Sequence, residues 1–320
     1  MKAKEERVLS ASRIKTLETC SFSYWASYHL KIPQAPHPST EMGSLCHLIL
    51  ELLLKPRHIK HFEVIMKRGS VEKAEAINRL ILKHLNKSKL NTDEYREFVY
   101  EWLWTGLNAE FFGDKDFKAE PPEMEFLLEN ESPKYKIRGF IDKCFVSKDK
   151  IKIVDYKTSK RKFKGDDLSG NVQALAYVLA AKKKWPKIKS VLVQFLFLRF
   201  PRQPKQDLEF DTQELTGFEH YLEYMFKLIN NFDEKMSVSN FAADDMDKKN
   251  LCQAKSGWRC PYLDAKDYYV SLNEEGEIIK SSLTELPAKE GLSVEKRHYD
   301  GCPRWKNAGQ NATRSNGDFF

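Results

Sequence analysis

The sequence predicts an α/β fold in the order helix, three strands, helix, strand, with a helical insertion after the first helices. Three observations carry this expectation. Apolar residues recur at helical spacing through residues 10–54 and again through 71–112. Between 123 and 157 the period shortens to that of strands separated by turn residues. After one more helical stretch, Val191-Leu192-Val193-Gln194-Phe195-Leu196-Phe197-Leu198 is apolar on both faces, as expected of a strand inside a sheet.

The elements follow in order. Ser10 is placed to cap a helix reaching about Leu30, with Ile14, Leu17 and Trp25 among its apolar positions. The stretch Pro33 to Pro38 interrupts the chain, and a second helix runs from about Thr40 to Leu54, stopped by Pro56. Helical periodicity returns at Val71–Leu85 and Thr92–Phe112, inside an insertion of about 58–118. Glu123–Leu128, Tyr135–Phe145 and Lys150–Lys157 read as a meander, with turns at Asn130-Glu131-Ser132-Pro133 and Ser147-Lys148-Asp149-Lys150. A helix from about Leu168 to Lys183, the apolar strand and a long helix from Thr212 to about Phe232 complete an α/β sandwich around a small mixed sheet. Residues 8–238 are expected to form one domain. Residues 239–310 read as an irregular cysteine-bearing segment with a hairpin-like insertion at 262–301, turning at Asn273-Glu274-Glu275-Gly276, and 311–320 as a disordered tail.

Composition narrows the function classes. Charged residues are 31% of the chain and hydrophobic ones 41%, the balance of a globular enzyme. No run approaches the roughly 20 apolar residues of a membrane span. Met1-Lys2-Ala3-Lys4-Glu5-Glu6 leads into no apolar signal core. The expectation is a cytoplasmic protein, or one of the host cytoplasm if phage-encoded, with no membrane partner. A net charge of +7 favours a polyanionic partner only weakly.

Within Ile153-Val154-Asp155-Tyr156-Lys157-Thr158, alternation on a strand sends Asp155 and Lys157 to one face, with Ile151 and Ile153 behind them. A carboxylate beside an ammonium at a strand end can hold a divalent metal and place a cation near an attacking water; an isolated Asp-x-Lys is more often an exposed ion pair. The preceding strand, Arg138-Gly139-Phe140-Ile141-Asp142, brings a second carboxylate. Two converging carboxylates repel, and a divalent cation resolves the repulsion. His47 shares a helix face with Gly43 and Glu51, and Gln173 stands one turn from Tyr177. Glu123 and Glu125 are both candidates to assist, and the sequence does not choose between them.

Taken in order, Leu9-Ser10-Ala11-Ser12-Arg13-Ile14, Gly43-Ser44-Leu45-Cys46-His47, Gly139-Phe140-Ile141-Asp142, Asp155-Tyr156-Lys157-Thr158 and Gln173 with Tyr177 form a specific pattern. The chain resembles the RecB-type branch of the PD-(D/E)XK nuclease superfamily over roughly residues 8–200. The resemblance implies an αβββαβ restriction-endonuclease-like core and hydrolysis of DNA phosphodiester bonds. It also implies Mg or Mn held by Asp142, Asp155, His47 and the Tyr156 carbonyl, with Asp142, Asp155 and Lys157 catalytic. Gln173 and Tyr177 would contact DNA, joined by the basic loop residues Lys160, Arg161 and Lys162. The family usually has Glu where Asp155 stands.

Branches of this family of the AddB kind, and the CRISPR-associated exonucleases, hold a [4Fe–4S] cluster on one early and three late cysteines. The resemblance places Cys20, Cys252, Cys260 and Cys302 in that role, with structural zinc as the alternative. Cys302 departs from the usual close spacing, and the insertion at 262–301 accounts for the gap. Cys46 and Cys144 read as core residues. The implied function is an exonuclease on single-stranded or resected DNA ends in recombination, repair or phage-type replication, in company with other recombination or replication proteins. A structure-specific endonuclease and a non-catalytic DNA-end-binding subunit are the alternatives.

Overall fold

A computed structural model describes residues 7–238, 251–253 and 259–305 of the chain. It opens with α1 (Ala11–Thr19), α2 (Ser21–Tyr24), a π-helical turn (Trp25–His29) and α3 (Pro38–Leu54). The helical insertion supplies a 3-10 turn (Pro56–His58), α4 (Ile59–Arg68), α5 (Glu75–Lys87) and α6 (Asp93–Leu107). Five strands follow: β1 (Lys118–Ala119), β2 (Met124–Glu131), β3 (Lys134–Ile141), β4 (Lys143–Val146) and β5 (Lys150–Lys157). Then come α7 (Asp166–Ser169), α8 (Val172–Lys184), β6 (Ser190–Phe197), β7 (Lys205–Leu208) and α9 (Thr212–Asn231). A 3-10 turn (Lys235–Val238) precedes β8 (Lys266–Leu272), β9 (Ile278–Ser282) and β10 (Ser293–Tyr299). Among the described residues no helix is long and apolar enough to cross a membrane.

The chain divides into two compact units, one holding residues 7–11 and 36–227, the other 12–35 and those from 228 on. In the first, the main sheet has the order β1-β4-β5-β6-β7. β5 and β6 are parallel and the other neighbours antiparallel, so the sheet is mixed as expected. A parallel pair needs a crossover, and α8 supplies it while packing on β6. Asn171 caps α8 by accepting from Ala174 N at 3.1 Å, and buried Ala174, Ala180 and Ala181 let the helix lie close to the strand. On the opposite face α3, α5 and α6 bury Leu45, Ile49, Ile81 and Leu103 against Val154, Tyr156, Leu196 and Leu198. β6 is buried almost throughout between β5 and β7, which is why its sequence is apolar on both faces.

The structure corrects three expectations and extends a fourth. The helix of Ser10–Leu30 is broken at Cys20, whose extended backbone (φ −161°, ψ 116°) ends α1 and starts α2. The strand of Tyr135–Phe145 is two strands: β3 pairs with β2 in a separate two-stranded sheet, and β4 joins the main sheet. The break falls at Asp142, whose side chain accepts from Tyr156 N at 2.8 Å while its carbonyl accepts from Glu123 N at 3.3 Å. The helix of Leu168–Lys183 is α7 followed by α8, restarted at the Asn171 cap. In the second unit, the hairpin of Tyr268–Ile279 is part of a three-stranded sheet, β10-β8-β9. Its Tyr268, Val270 and Leu272 close over Phe22, Ala26 and Ile32. The expected tail, 311–320, lies outside the described residues.

Candidate active site

Asp155 and Lys157 leave β5 on the face covered by α8. Asp155 is only 2% exposed. Its Oδ1 accepts from Gln173 Nε2 at 2.9 Å and lies 2.8 Å from the Tyr177 hydroxyl, which is equally close to the Phe140 carbonyl and accepts from Gln173 Nε2 at 2.6 Å. Lys157 Nζ lies 2.6 Å from Asp155 Oδ2 and donates to Gln173 Oε1, also at 2.6 Å. The amine approaches Oδ2 off the hydrogen-bonding direction, so this buried oxygen has its charge balanced but no hydrogen bond. Burial raises the Asp155 pKa, Lys157 opposes the rise and Asp142 adds to it. An oxygen of this kind is suited to a cation.

The second group forms where α3 passes the end of β5. Gly43 makes the approach possible, because a Cβ there would fall 2.8 Å from Thr158 Oγ1. One turn later His47 Nδ1 comes 3.2 Å from Asp142 Oδ2, its ring edge-on to Tyr156. Burial alone would lower the His47 pKa, but the Asp142 hydrogen bond and the Asp142 and Asp155 charges reverse the direction and raise it. Glu123 joins from the foot of β2, with a left-handed backbone (φ +54°). Its carboxyl is raised by burial and by the Asp142 and Glu51 carboxylates. His47, Glu123 and Asp142 each offer a ligand atom within 4.8 Å of the others, and no other such group of three occurs among the described residues. Gly139 fixes the position of the strand that delivers Asp142: a Cβ there would meet the Phe126 ring at 2.6 Å, and that ring packs edge-on to Tyr177. Beside the triad a cleft of about 490 Å³ is lined by Thr40, Gly43, Ser44, Glu51 and Thr158 among others.

The structure brings together His47, Asp142, Asp155, Lys157, Gln173 and Tyr177 as candidates of one locality. Some of them make contacts that the sequence reading did not anticipate. Tyr177, expected at the DNA, is 2% exposed and instead positions Asp155. Gln173 bridges Asp155 and Lys157. The compact ligand triad has Glu123 where Asp155 was expected, and the Tyr156 side chain is buried beneath His47. Lys160 and Arg161 are exposed, whereas Lys162 folds back onto the Gln203 and Lys205 carbonyls and over the Phe197 and Phe200 rings. Arg199, which the sequence did not single out, donates to the Thr158 carbonyl at 2.7 Å and stacks 4.0 Å over Trp102, holding the strand exit.

In the second unit Cys20, Cys252, Cys260 and Cys302 share one core cluster. Cys260 N donates to the Cys252 carbonyl at 2.7 Å, and Cys302 N to the Leu263 carbonyl at 3.1 Å. Burial pushes the Cys260 thiol up to about 11, a Tyr262 backbone hydrogen bond opposes this, and neighbouring Cys20 and Cys302 add to it. Cys46 and Cys144 are separate from this group and fully buried.

Buried, paired carboxylates with a lysine at a strand end, on a mixed sheet flanked by helices, are the arrangement of a metal-dependent hydrolase. A family model for the PD-(D/E)XK nuclease superfamily matches residues 8–265, and the chain belongs to that superfamily. Its nucleases use divalent metals, and the family implies DNA as substrate. No curated protein matches the chain. Among solved structures, one from Eubacterium rectale described as a "putative exonuclease" aligns at TM-score 0.43 and 13% identity, covering 72% of this chain and 87% of its own. The structure of SSO0001 aligns at 0.25 and 17%, covering 69% and 87%, and that of VC1899 from Vibrio cholerae at 0.23 and 14%, covering 60% and 57%. The family assignment rests on the family model.

Proposed function

We propose that the chain is a Mg- or Mn-dependent deoxyribonuclease, an exonuclease on single-stranded or resected DNA ends in recombination, repair or phage-type replication. The observation that carries this reading is the His47, Glu123 and Asp142 triad beside the Asp155–Lys157 pair. The donor set fits a hard divalent cation: two carboxylates and an imidazole within reach of one point, and a buried Asp155 oxygen with no hydrogen bond. When bound, such a cation polarises the phosphate and acidifies a water. His47, Glu123 and Asp142 would hold it, with Asp155 and the Tyr156 carbonyl as further ligands. Lys157 orients the attacking water and offsets the charge that develops on the phosphate oxygens. Gln173 and Tyr177 keep Asp155 and Lys157 in register. Lys160 and Arg161 take the flanking phosphates.

The four thiols of the second unit suit a [4Fe–4S] cluster as a structural clip. Structural zinc on the same four thiolates is the alternative.

The test is anaerobic purification followed by digestion of end-labelled linear and of circular single- and double-stranded DNA with Mg, Mn or EDTA. Loss of terminal label that needs metal and spares circles is the expected result. Cleavage of circles would replace the exonuclease with an endonuclease. Binding of DNA ends with no cleavage in either metal would overturn the catalytic reading.

A further inference from the structure

The outer face of the β2–β3 hairpin carries side chains that the hydrolytic site does not use. Pairing sets Glu131 against Lys134, Glu129 against Lys136, Leu127 against Arg138 and Glu125 against Phe140 on this face. Away from the site the face is closed by opposite charges, and Lys136 meets Glu129 at 2.5 Å. Next to Asp142 it is open. Leu127 and Phe140, diagonal neighbours across the pair, are each 51% exposed. Arg138 beside them is exposed and meets no acidic side chain among the described residues.

Strand alternation fixes this exposure. Gly139 lies under Phe126 and Ile141 is buried, so Phe140 between them faces water. Its own carbonyl is taken by Tyr177, which ties the backbone carrying the ring to Asp155. At about 3.3 Å per residue, Phe140 stands about 7 Å along the strand from Asp142. A rigid exposed aromatic ring with an unpaired guanidinium one pair away matches a nucleobase stacked on its face and an adjoining phosphate. A second protein copy is a poorer match, because two apolar side chains fall far short of the roughly 800 Å² per partner that a stable interface buries.

Resting on the nuclease reading above, we propose that Phe140, flanked by Leu127 and Arg138, is a stacking platform for an unpaired base beside the scissile phosphate. It selects single-stranded DNA, because bases in a duplex already have both faces covered by their neighbours and must be unstacked first.

The experiment uses the full-length protein carrying Lys157→Ala, so that binding is read without cleavage. Single-stranded oligonucleotides with 2-aminopurine at successive positions from each end report stacking through fluorescence, and a blunt duplex is the control. One position is expected to change in fluorescence. Phe140→Ala should remove that change and weaken single-strand binding about tenfold, leave duplex binding within twofold, and leave the melting temperature unaltered. Phe140→Trp should restore both signals. Unchanged single-strand affinity in Phe140→Ala, an equal loss on single strand and duplex, or a change of oligomeric state without loss of DNA binding would each overturn the platform. Failure of the wild-type protein to cleave DNA would show in the digestion assay alone, so the two readings fail separately.

Discussion

Asp155 and Lys157 meet at 2.6 Å, and Gln173 spans the pair, donating to the carboxylate from its amide nitrogen and accepting from the amine on its oxygen. Because Asp155 is nearly inaccessible, its charge depends on these contacts for compensation. The lysine proposed as catalytic is thus also the counter-ion of a buried acid, and the two roles need separate measurements.

Lys157→Ala should abolish cleavage while DNA affinity stays within a few-fold, since affinity comes from many phosphate contacts. It should also lower stability by about 3 kcal/mol, because a buried carboxylate is left unpaired. End-label digestion and thermal melting read the two effects. Cleavage at near wild-type rate by this variant would remove Lys157 from the active site.

Gln173→Leu keeps the size of the side chain and severs its hydrogen bonds to Asp155 and Lys157. A drop of about 10- to 100-fold in kcat with little change in KM is expected, as for other groups that orient ligands. A rise in KM with kcat unchanged would show that Gln173 contacts DNA instead.

Asp142→Ala, Glu123→Gln and His47→Ala should each weaken Mg or Mn binding measured by calorimetry, with Glu125→Gln as the neutral control. Mn is expected to rescue His47→Ala in part. Equal metal affinity in Glu123→Gln and the unsubstituted protein, with a loss in Glu125→Gln, would reassign the third ligand.

Protein made anaerobically should be brown, with broad absorbance near ~400 nm and about four irons per chain. Cys20→Ser, Cys252→Ser, Cys260→Ser and Cys302→Ser should each bleach it, whereas Cys46→Ser should not. A colourless protein with stoichiometric zinc would replace the cluster, and one that melts unchanged after all four substitutions would remove the clip.

Glu110 bridges Lys205 at 2.7 Å and Lys152 at 2.9 Å, and these hydrogen bonds bring its carboxyl down to about 2. The folded value is below the unfolded one, so the contribution to stability is present above about 4.5 and is lost as pH falls from there to about 2. Glu110→Gln should therefore lower the melting temperature slightly at pH 7 and not at pH 2, the effect being small because the group is half-exposed. An equal shift at both pH values would show that the loss is one of packing.

The features legible in the sequence were those set by local period. Alternation put Asp155 and Lys157 on one face, helical spacing put Gly43, His47 and Glu51 on another, and two-sided burial marked β6. The features missed depend on backbone or contacts distant in sequence. Glu123 outcompetes Glu125 because its left-handed backbone lifts it out of the strand's alternation. Asp142 breaks a run that reads as continuous because its partners, Tyr156 and Glu123, come from other segments. The resemblance set Tyr177 at the DNA, whereas the contact of β3 with α8, distant in sequence, buries it. β10 escaped notice because residues 283–292, which carry no period, separate it from β9.

The chain enters the β2–β3 hairpin at Glu123 and leaves it at Asp142, so two of the three candidate ligands are the jambs of one doorway. A backbone hydrogen bond of 3.3 Å and a hydrogen bond between their carboxyls join the jambs, and Tyr156 N ties Asp142 to β5 at 2.8 Å. A displacement of the hairpin's base would move both carboxylates relative to His47 together, so a cation held there would lose two ligands at once and not one by one. The same movement would carry Phe140 with it. Capture of the metal and grip on the substrate end would then rise and fall as one event.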